Sequence, residues 1–233
     1  ELARRKSIAP HDSLGSNLVV QVKGDRVLRV LPLENEAVNE CWISDKDRYA
    51  YEALNGPDRL AAPMIKDNGI WKTVDWQTAL EFVARGLSEI HRKFGGAALG
   101  TLVSAHSTLE EMALAARFTS ALGSDNIDFR LRQTDFRGDG QGSGIPWLGM
   151  PVADLNALDR VLVVGSFLRK DHPLLAQRLR QAARRGAQIC VVHSVADDSL
   201  VAIHDSLVVA PSLMPLALAG IVVAAARGAG QPV

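Results

Sequence analysis

The chain has 233 residues, of which 26 are basic and 26 acidic, so its formal net charge at pH 7 is zero. This balance argues against nucleic acid or an acidic membrane surface as the main partner. A hydrophobic fraction of 47% excludes a disordered or collagen-like chain. The two cysteines, Cys41 and Cys190, cannot build a disulfide framework, which favours a reducing compartment. We expect the chain to be a piece of a longer polypeptide, because it begins without Met or a signal-peptide pattern.

The first part of the chain has the pattern of a small β structure. Residues 18–30 alternate apolar and polar side chains on each side of Gly24-Asp25, which predicts a β-hairpin. A short helix-like stretch over residues 49–54 then ends at Asn55-Gly56-Pro57. We therefore predict a small antiparallel β module over residues 1–60.

Beyond this module, long helical patterns alternate with short apolar runs. Asp75 is placed to cap a helix that ends at Gly95-Gly96, and Ser107 to open a second helix that ends at Gly123. The predicted strands cover residues 97–103, 161–164, 189–192 and 207–210. Such alternation is typical of an α/β domain whose parallel sheet is covered by helices on both faces. We predict this domain over residues 61–233, with its C-terminal part incomplete.

Two segments in the second half of the chain bear on whether it contacts a membrane or other subunits. Residues 206–226 carry no charge and are long enough to cross a bilayer, yet Pro211 and Pro215 interrupt them, which favours a strand followed by a core helix. We expect no direct membrane insertion. The helix over 174–185 should turn Leu174, Leu175, Leu179 and Ala182 or Ala183 toward the sheet, and Arg178, Arg184 and Arg185 outward. Its arginines are candidates for subunit contacts.

Few motifs suggest chemistry by themselves. The glycine-rich run 138–144 fits neither a dinucleotide fingerprint nor a P-loop, which favours a plain loop. None of the six histidines has metal-binding helical spacing, and both cysteines are interpreted as packed thiols. Gly165-Ser166 follows a predicted strand, where open α/β sheets bind ligands. Every strand of such a fold ends in this way, so a purely structural role for these two residues stays open.

Three segments taken together resemble the molybdopterin oxidoreductases. They are Gly69–Leu80, Ser107–Asp128 and Ala153–Ser166, which match that family's tryptophan-containing helix start, its next helix with an "NID" ending, and its "D-x-V-L-L-V-G-S" strand. The resemblance implies a molybdopterin-oxidoreductase-like α/β fold. In catalytic members a side chain from the loop after the "NID" segment binds molybdenum. Here that region offers only Thr134 and Asp135, so the resemblance implies no catalytic residue and at most a remnant pterin cleft at Gly165 and Ser166.

The N-terminal module resembles the large iron–sulfur subunits of respiratory complex I, on the segments Ser13–Asn17 and Val38–Tyr49. Some of those proteins carry an additional [4Fe–4S] cluster on four cysteines in this region. The corresponding positions here are Ala9, Asp12, Ser16 and Ser44. Because thiolates hold such clusters, the resemblance implies that this segment has no metal site and no cofactor. Asp47 stands where those relatives have a glycine.

The leading hypothesis from the resemblance is a non-catalytic structural segment of a complex I subunit, within an enzyme that passes electrons from NADH to quinone. The expected partners are other subunits of the peripheral arm, on the cytoplasmic side of the bacterial inner membrane. Iron–sulfur clusters are expected in the full-length subunit. The alternative is a fragment of a catalytic molybdopterin oxidoreductase, such as a formate dehydrogenase. A free-standing nucleotide-binding module would need a phosphate-binding glycine loop that opens a helix, which the sequence lacks.

Overall fold

The computed structural model describes residues 1–130, 141–142, 144–145 and 147–233. The chain divides into two compact units, one formed by Glu1–Asn55 with Pro146–Val233 and the other by Gly56–Ile145. The boundary near residue 60 concerns the order of modules along the chain and stays a prediction. Most of the glycine-rich run 138–144, together with Thr134 and Asp135, lies outside the described residues.

The described elements are numbered in chain order. The strands are β1 (Ala3–Ile8), β2 (Asn17–Lys23), β3 (Arg26–Pro32), β4 (Met64–Asp67), β5 (Ile70–Thr73), β6 (Thr101–Leu102), β7 (Ile127–Asp128), β8 (Arg160–Val164), β9 (Gln188–His193) and β10 (Asp205–Val208). The α-helices are α1 (Asp45–Tyr49), α2 (Trp76–Phe94), α3 (Leu109–Ala121), α4 (Leu168–Asp171), α5 (Pro173–Arg184) and α6 (Met214–Gly228).

The N-terminal part of the first unit is an antiparallel sheet of β1, β2 and β3 in that order. The alternating pattern predicted the hairpin of β2 and β3 but not strand β1. A two-residue loop, Gly24-Asp25, joins β2 to β3, and both residues have positive φ (53° and 61°). Such a loop matches the twist of the strands, and glycine and aspartate tolerate its left-handed backbone. The sheet packs on a small core that comprises Ala9, Leu18, Val30 and Ile43.

The rest of the first unit is built on a parallel sheet in the order β10-β9-β8, packed on one face by α5. Leu179 of α5 lies in one buried cluster with Val163 and Ile189, while Leu174 and Ala182 are buried as predicted. Among the described residues the second face is covered only loosely, by α6, whose Ile221 lines a cavity together with Leu162 and Leu207. Leu162 and Leu207 are 45% and 43% exposed, and α6 buries none of its residues.

The prediction for the arginines of α5 is partly wrong. Arg184 and Arg185 are exposed, as expected, but Arg178 is only 4% exposed. The helix phase is nevertheless the predicted one, because the leucines of the same helix face the core. Arg178 lies at the margin of the buried face, where polar groups from a distant part of the chain surround it.

In the second unit, β4 and β5 form a hairpin, and β6 and β7 form a short parallel pair. Asp75 caps α2 as predicted, since its Oδ1 accepts a hydrogen bond of 2.8 Å from the Thr78 amide. The cap of α3 is Thr108 rather than Ser107, and its hydroxyl and the Glu111 side chain form a reciprocal capping box. The strand expected over 97–103 is reduced to a 3-10 turn and the two residues of β6.

Pro211–Gly228 is, among the described residues, the helical stretch that is long and apolar enough to cross a membrane by length and composition. None of that window is buried. A core helix of a water-soluble protein passes the same test, so this property does not by itself assign a membrane role.

Candidate functional site

The loop that carries three of the four cluster-related positions is closed by Asp12. Its Oδ1 accepts hydrogen bonds from the backbone amides of Leu14, Gly15 and Ser16, at 3.0, 2.8 and 3.3 Å. The Ser16 hydroxyl donates to Oδ2 of the same carboxylate. The Ala9 amide donates to the Ser16 carbonyl at 2.8 Å and closes the loop at its other end. The Asp12 carboxylate is therefore the group that holds this loop closed.

The fourth position, Ser44, begins α1. Its hydroxyl accepts a hydrogen bond of 3.1 Å from the Asp47 amide and donates one of 2.7 Å to Asp47 Oδ2. Ser44 is thus the N-cap of α1, and its hydroxyl also binds the carboxylate three positions further on. The spacing of Ser44 and Asp47 is visible in the sequence, although the resemblance marks Asp47 only as a departure from the family pattern.

Asp47 is the unusual group of this region, because its carboxyl is buried with only 3% of the residue exposed. Burial raises its pKa above the ordinary value, the hydrogen bond from Ser44 lowers it, and the negative charge of Asp12 raises it further. His11 acts on this pKa in the lowering direction, through its charge and its backbone. Oδ1 of Asp47 is buried and makes no hydrogen bond of normal geometry in the described part of the chain.

The structure thus brings the predicted positions into one polar region. Ala9, Ser16 and Ser44 are buried, and Asp12 is partly buried. The Asp12–Ser16 pair and the Ser44–Asp47 pair are close enough for the charge of Asp12 to act on Asp47. Whether these positions descend from a cluster site stays a prediction.

The donor set does not fit an iron–sulfur cluster. The four positions present two hydroxyls, one carboxylate and a methyl group, whereas these clusters are held by thiolates. Cys41 was expected to be a packed thiol, but it is exposed, and Cys190 is half-buried within β9. Within the described ranges, no group of three or more His, Cys, Asp or Glu side chains is placed to hold a metal ion.

A second candidate site is a cavity of about 220 Å³ at the carboxyl ends of β8 and β9. Ser166 and Phe167 line it from the turn after β8, and His193 lines it from the end of β9. The Phe167 and His193 rings meet edge to face with centroids 4.1 Å apart. Gly165 has a left-handed φ of 63° and donates a backbone hydrogen bond of 2.9 Å to Val192. Of the two residues predicted from the sequence, Ser166 therefore lines this cavity, and Gly165 directly precedes it in the chain.

The chemistry of this cavity is sparse. The Ser166 hydroxyl is buried without a hydrogen-bond partner among the described residues, so it is available to a bound molecule. Nδ1 of His193 is already engaged, because it accepts a hydrogen bond of 3.1 Å from the Val195 amide. The described lining contains the carboxylate of Asp197 but no lysine or arginine to bind phosphate. Its volume is also below the roughly 300–1,000 Å³ typical of pockets for small-molecule ligands. These described residues do not fit a nucleotide-bearing pterin.

The fold and these sites place the chain among known proteins. The sequence model described as Molybdopterin oxidoreductase matches residues 59–220. The chain therefore belongs to the molybdopterin oxidoreductase family, as the resemblance of its motifs indicated. Within that family the assignment can be narrowed, because residues 2–52 match the model described as NADH-ubiquinone oxidoreductase NDSU1/NuoG-like, 4Fe-4S domain.

The curated proteins that resemble this chain are named as subunits of the same kind of oxidoreductase. The G subunit of the NADH-quinone oxidoreductase of Rickettsia felis is 34% identical over 187 residues, which cover 80% of this chain and 27% of that protein. The NADH-ubiquinone oxidoreductase 75 kDa subunit of Reclinomonas americana is 34% identical over 206 residues, covering 80% of this chain and 28% of the relative. The chain thus spans under a third of the length of the curated relatives it matches.

A solved structure supports the fold alone. Acetylene hydratase from Pelobacter acetylenicus superposes with a TM-score of 0.57 at 18% identity. The match covers 84% of this chain and 28% of that enzyme. Together with the parallel sheet and the antiparallel N-terminal sheet, this likeness confirms the predicted fold class.

Proposed function

We propose that this chain is a segment of the large iron–sulfur subunit, the G subunit, of an NADH-quinone oxidoreductase, the respiratory complex I. The complete enzyme passes electrons from NADH through iron–sulfur clusters to quinone. In this proposal the segment is a structural, non-catalytic part of the peripheral arm and contacts other subunits there. It lies on the cytoplasmic side of the bacterial inner membrane, and the clusters belong to other parts of the full-length subunit.

The observation that carries the proposal is the succession of two matches in one chain. Residues 2–52 match the iron–sulfur domain of the NuoG-like proteins, and residues 59–220 match the molybdopterin oxidoreductase model. This order also supports the proposed division into a degenerate iron–sulfur module, residues 1–60, and an α/β domain, residues 61–233. The names of the curated relatives point to the same subunit.

The absence of a redox role rests on donor chemistry. The positions Ala9, Asp12, Ser16 and Ser44 offer no thiolate, and the two serine hydroxyls already donate hydrogen bonds to carboxylates. The cavity beside Gly165 and Ser166 lacks a cationic side chain among its described lining residues. We interpret it as the remnant of a pterin cleft that no longer holds a pterin.

The alternative, a catalytic molybdopterin oxidoreductase such as a formate dehydrogenase, makes a different prediction about metal content. The test is elemental analysis of the full-length polypeptide purified with its native partners, combined with NADH:quinone reductase activity. We expect iron without molybdenum, and activity that depends on this subunit. An S16A/S44A variant should keep the iron content and the EPR spectrum of the parent protein. Molybdenum at one atom per polypeptide would overturn the proposal in favour of the alternative.

A further inference from the structure

The turn Asn35–Glu40, which follows the first antiparallel sheet, forms a small closed loop. The amides of Asn35 and Glu40 each donate to the carbonyl of the other residue, both at 2.8 Å, and the Val38 amide donates to the Asn35 carbonyl at 3.0 Å. This closure leaves the carbonyls of Glu36 and Val38 and the carboxylate of Glu40 without partners inside the loop. The loop therefore presents three acceptors to whatever lies beside it.

Two side chains of α5 occupy those acceptors. Arg178 Nη2 donates to the carbonyls of Glu36, at 2.7 Å, and Val38, at 3.2 Å, while Nη1 lies 3.4 Å from Glu40 Oε1. Gln181, about one turn further along the same helix, donates from Nε2 to both carboxylate oxygens of Glu40 at 3.2 and 3.1 Å. The side chain of Arg178 is 5% exposed and that of Glu40 is 17% exposed. This contact is therefore shielded from solvent, unlike an ion pair on the surface.

The backbone of Glu40 supplies an independent observation. Its φ is +50°, in the left-handed region where a residue with a Cβ is disfavoured and glycine is not. A glycine would satisfy this turn more easily, so the backbone strain at Glu40 is offset by the contacts of its carboxylate. Those contacts are made with Arg178 and Gln181.

The loop is in turn connected to the polar region of the module. The Asn39 side chain accepts from the Asn17 amide at 3.0 Å and donates to the carbonyls of Leu33, at 3.1 Å, and Trp42, at 3.0 Å. Asn39 is 2% exposed, so this network is buried. Asn17 follows Ser16, and Trp42 precedes Ser44 by two positions. A displacement of the loop would therefore be transmitted to both serine positions.

We propose that Arg178 and Gln181 form a receptor on α5 for the turn Asn35–Glu40, and that this contact fixes the N-terminal β module to the α5 sheet. Arg178 contacts the two carbonyls and the carboxylate at once, because its planar guanidinium carries several donors, and Gln181 adds two bonds to the carboxylate. Arg178 is thus a positioning residue for the module. This proposal does not depend on the identity of the complex in which the chain works.

Site-resolved hydrogen exchange of the full-length polypeptide tests the receptor. In R178M, the amides of residues 33–43 should exchange about tenfold faster or more, because the loop opens locally. Amides of β8 and β9 that exchange by local fluctuation should keep the parent rates, while those that exchange through global unfolding should accelerate only in step with the loss of global stability. The matched control is R184M, on the exposed face of the same helix, which should leave every peptide unchanged. Equal rates in residues 33–43 for R178M and the parent would overturn the proposal, as would a uniform acceleration of all peptides.

A milder variant covers the case in which R178M does not fold. E40Q keeps the two carbonyl contacts of Arg178 but removes the charge that the receptor binds. Exchange in residues 33–43 should then rise about threefold, a smaller effect because part of the contact remains. E40Q exchange identical to that of the parent would contradict a role for the carboxylate. A second expectation follows from the backbone, since E40G should accelerate exchange in the same peptides despite relieving the left-handed strain.

Discussion

Arg178 and Glu40 are 138 residues apart in the sequence and form a buried ion pair, with Nη1 and Oε1 separated by 3.4 Å. The pair joins the turn after the antiparallel sheet to the helix that covers the parallel sheet. Removing one member of such a pair is costly, because the other charge stays buried without compensation. The pair is thus one of the contacts through which the two sheets of the first unit depend on each other.

The first prediction concerns the stability that depends on this pair. R178M should lower the free energy of unfolding by about 3–5 kcal/mol, the usual cost of breaking a buried ion pair. R184M on the exposed face should change it by less than about 0.5 kcal/mol. The double variant R178M/E40M should recover part of the loss, since no charge is then left buried. Urea denaturation measures all three, and equal effects of R178M and R184M would contradict the burial of Arg178.

The second prediction concerns the pH dependence that Asp47 produces. Because the pKa of Asp47 is raised in the folded chain, the folded state binds a proton more readily than the unfolded state does. Its contribution to stability is therefore present below the unfolded pKa and is lost as the pH rises through the folded pKa. D47N removes the buried charge but keeps an oxygen that can accept from Ser44.

We accordingly expect D47N to raise the melting temperature relative to the parent at pH 8, and the difference to shrink toward pH 3. D45N, at an exposed position of the same helix, is the control and should show no such trend. Thermal unfolding followed by circular dichroism across this range is the measurement. A D47N variant that is less stable than the parent at pH 8 would show that ionised Asp47 is stabilised by contacts stronger than its burial cost.

The third prediction contrasts two glycines of the second unit. A Cβ on Gly96 would lie 2.3 Å from the carbonyl oxygen of Gly123 and 2.4 Å from that of Leu122, so backbone would have to move. G96A should therefore destabilise the unit by about 1–3 kcal/mol, as overpacking does. Gly86, in the middle of α2, has no neighbour within 4 Å of such an atom. G86A should stabilise the helix by up to about 1 kcal/mol. Chemical denaturation of the two variants is the measurement. Similar effects of G96A and G86A would refute the close approach of Gly96 to the carbonyls of Leu122 and Gly123.

The fourth prediction distinguishes the observed cap of α3 from the one expected from the sequence. T108A should cost about 1 kcal/mol, because it leaves the Glu111 amide without the hydroxyl that now accepts its hydrogen bond at 3.2 Å. S107A should change stability by less than about 0.5 kcal/mol, because Thr108 and not the half-buried Ser107 caps the helix. If S107A proves the more damaging change, the cap assignment of the sequence is correct and that of the structure is not.

Elements with local causes were predictable from the sequence. The Gly24-Asp25 hairpin, the Asp75 cap of α2 and the apolar face of α5 each depend on residues within a few positions of one another. The family also followed from the sequence, because its motifs are contiguous segments. The boundary errors arose where neighbouring residues compete for one role, as Ser107 and Thr108 do at the start of α3.

The sequence by itself determined the chemistry that the chain can offer: no thiolate at Ala9, Asp12, Ser16 or Ser44, and Gly165-Ser166 directly after a strand. Tertiary structure alone decided which of these groups are buried and paired. Arg178 looks like a solvent-facing residue on a basic helix until the turn containing Glu40 is placed beside it. Asp47 looks like an ordinary first-turn acid until Asp12 is brought near. In both cases the deciding partner is remote in sequence, and periodicity carries no information about contacts made across that separation.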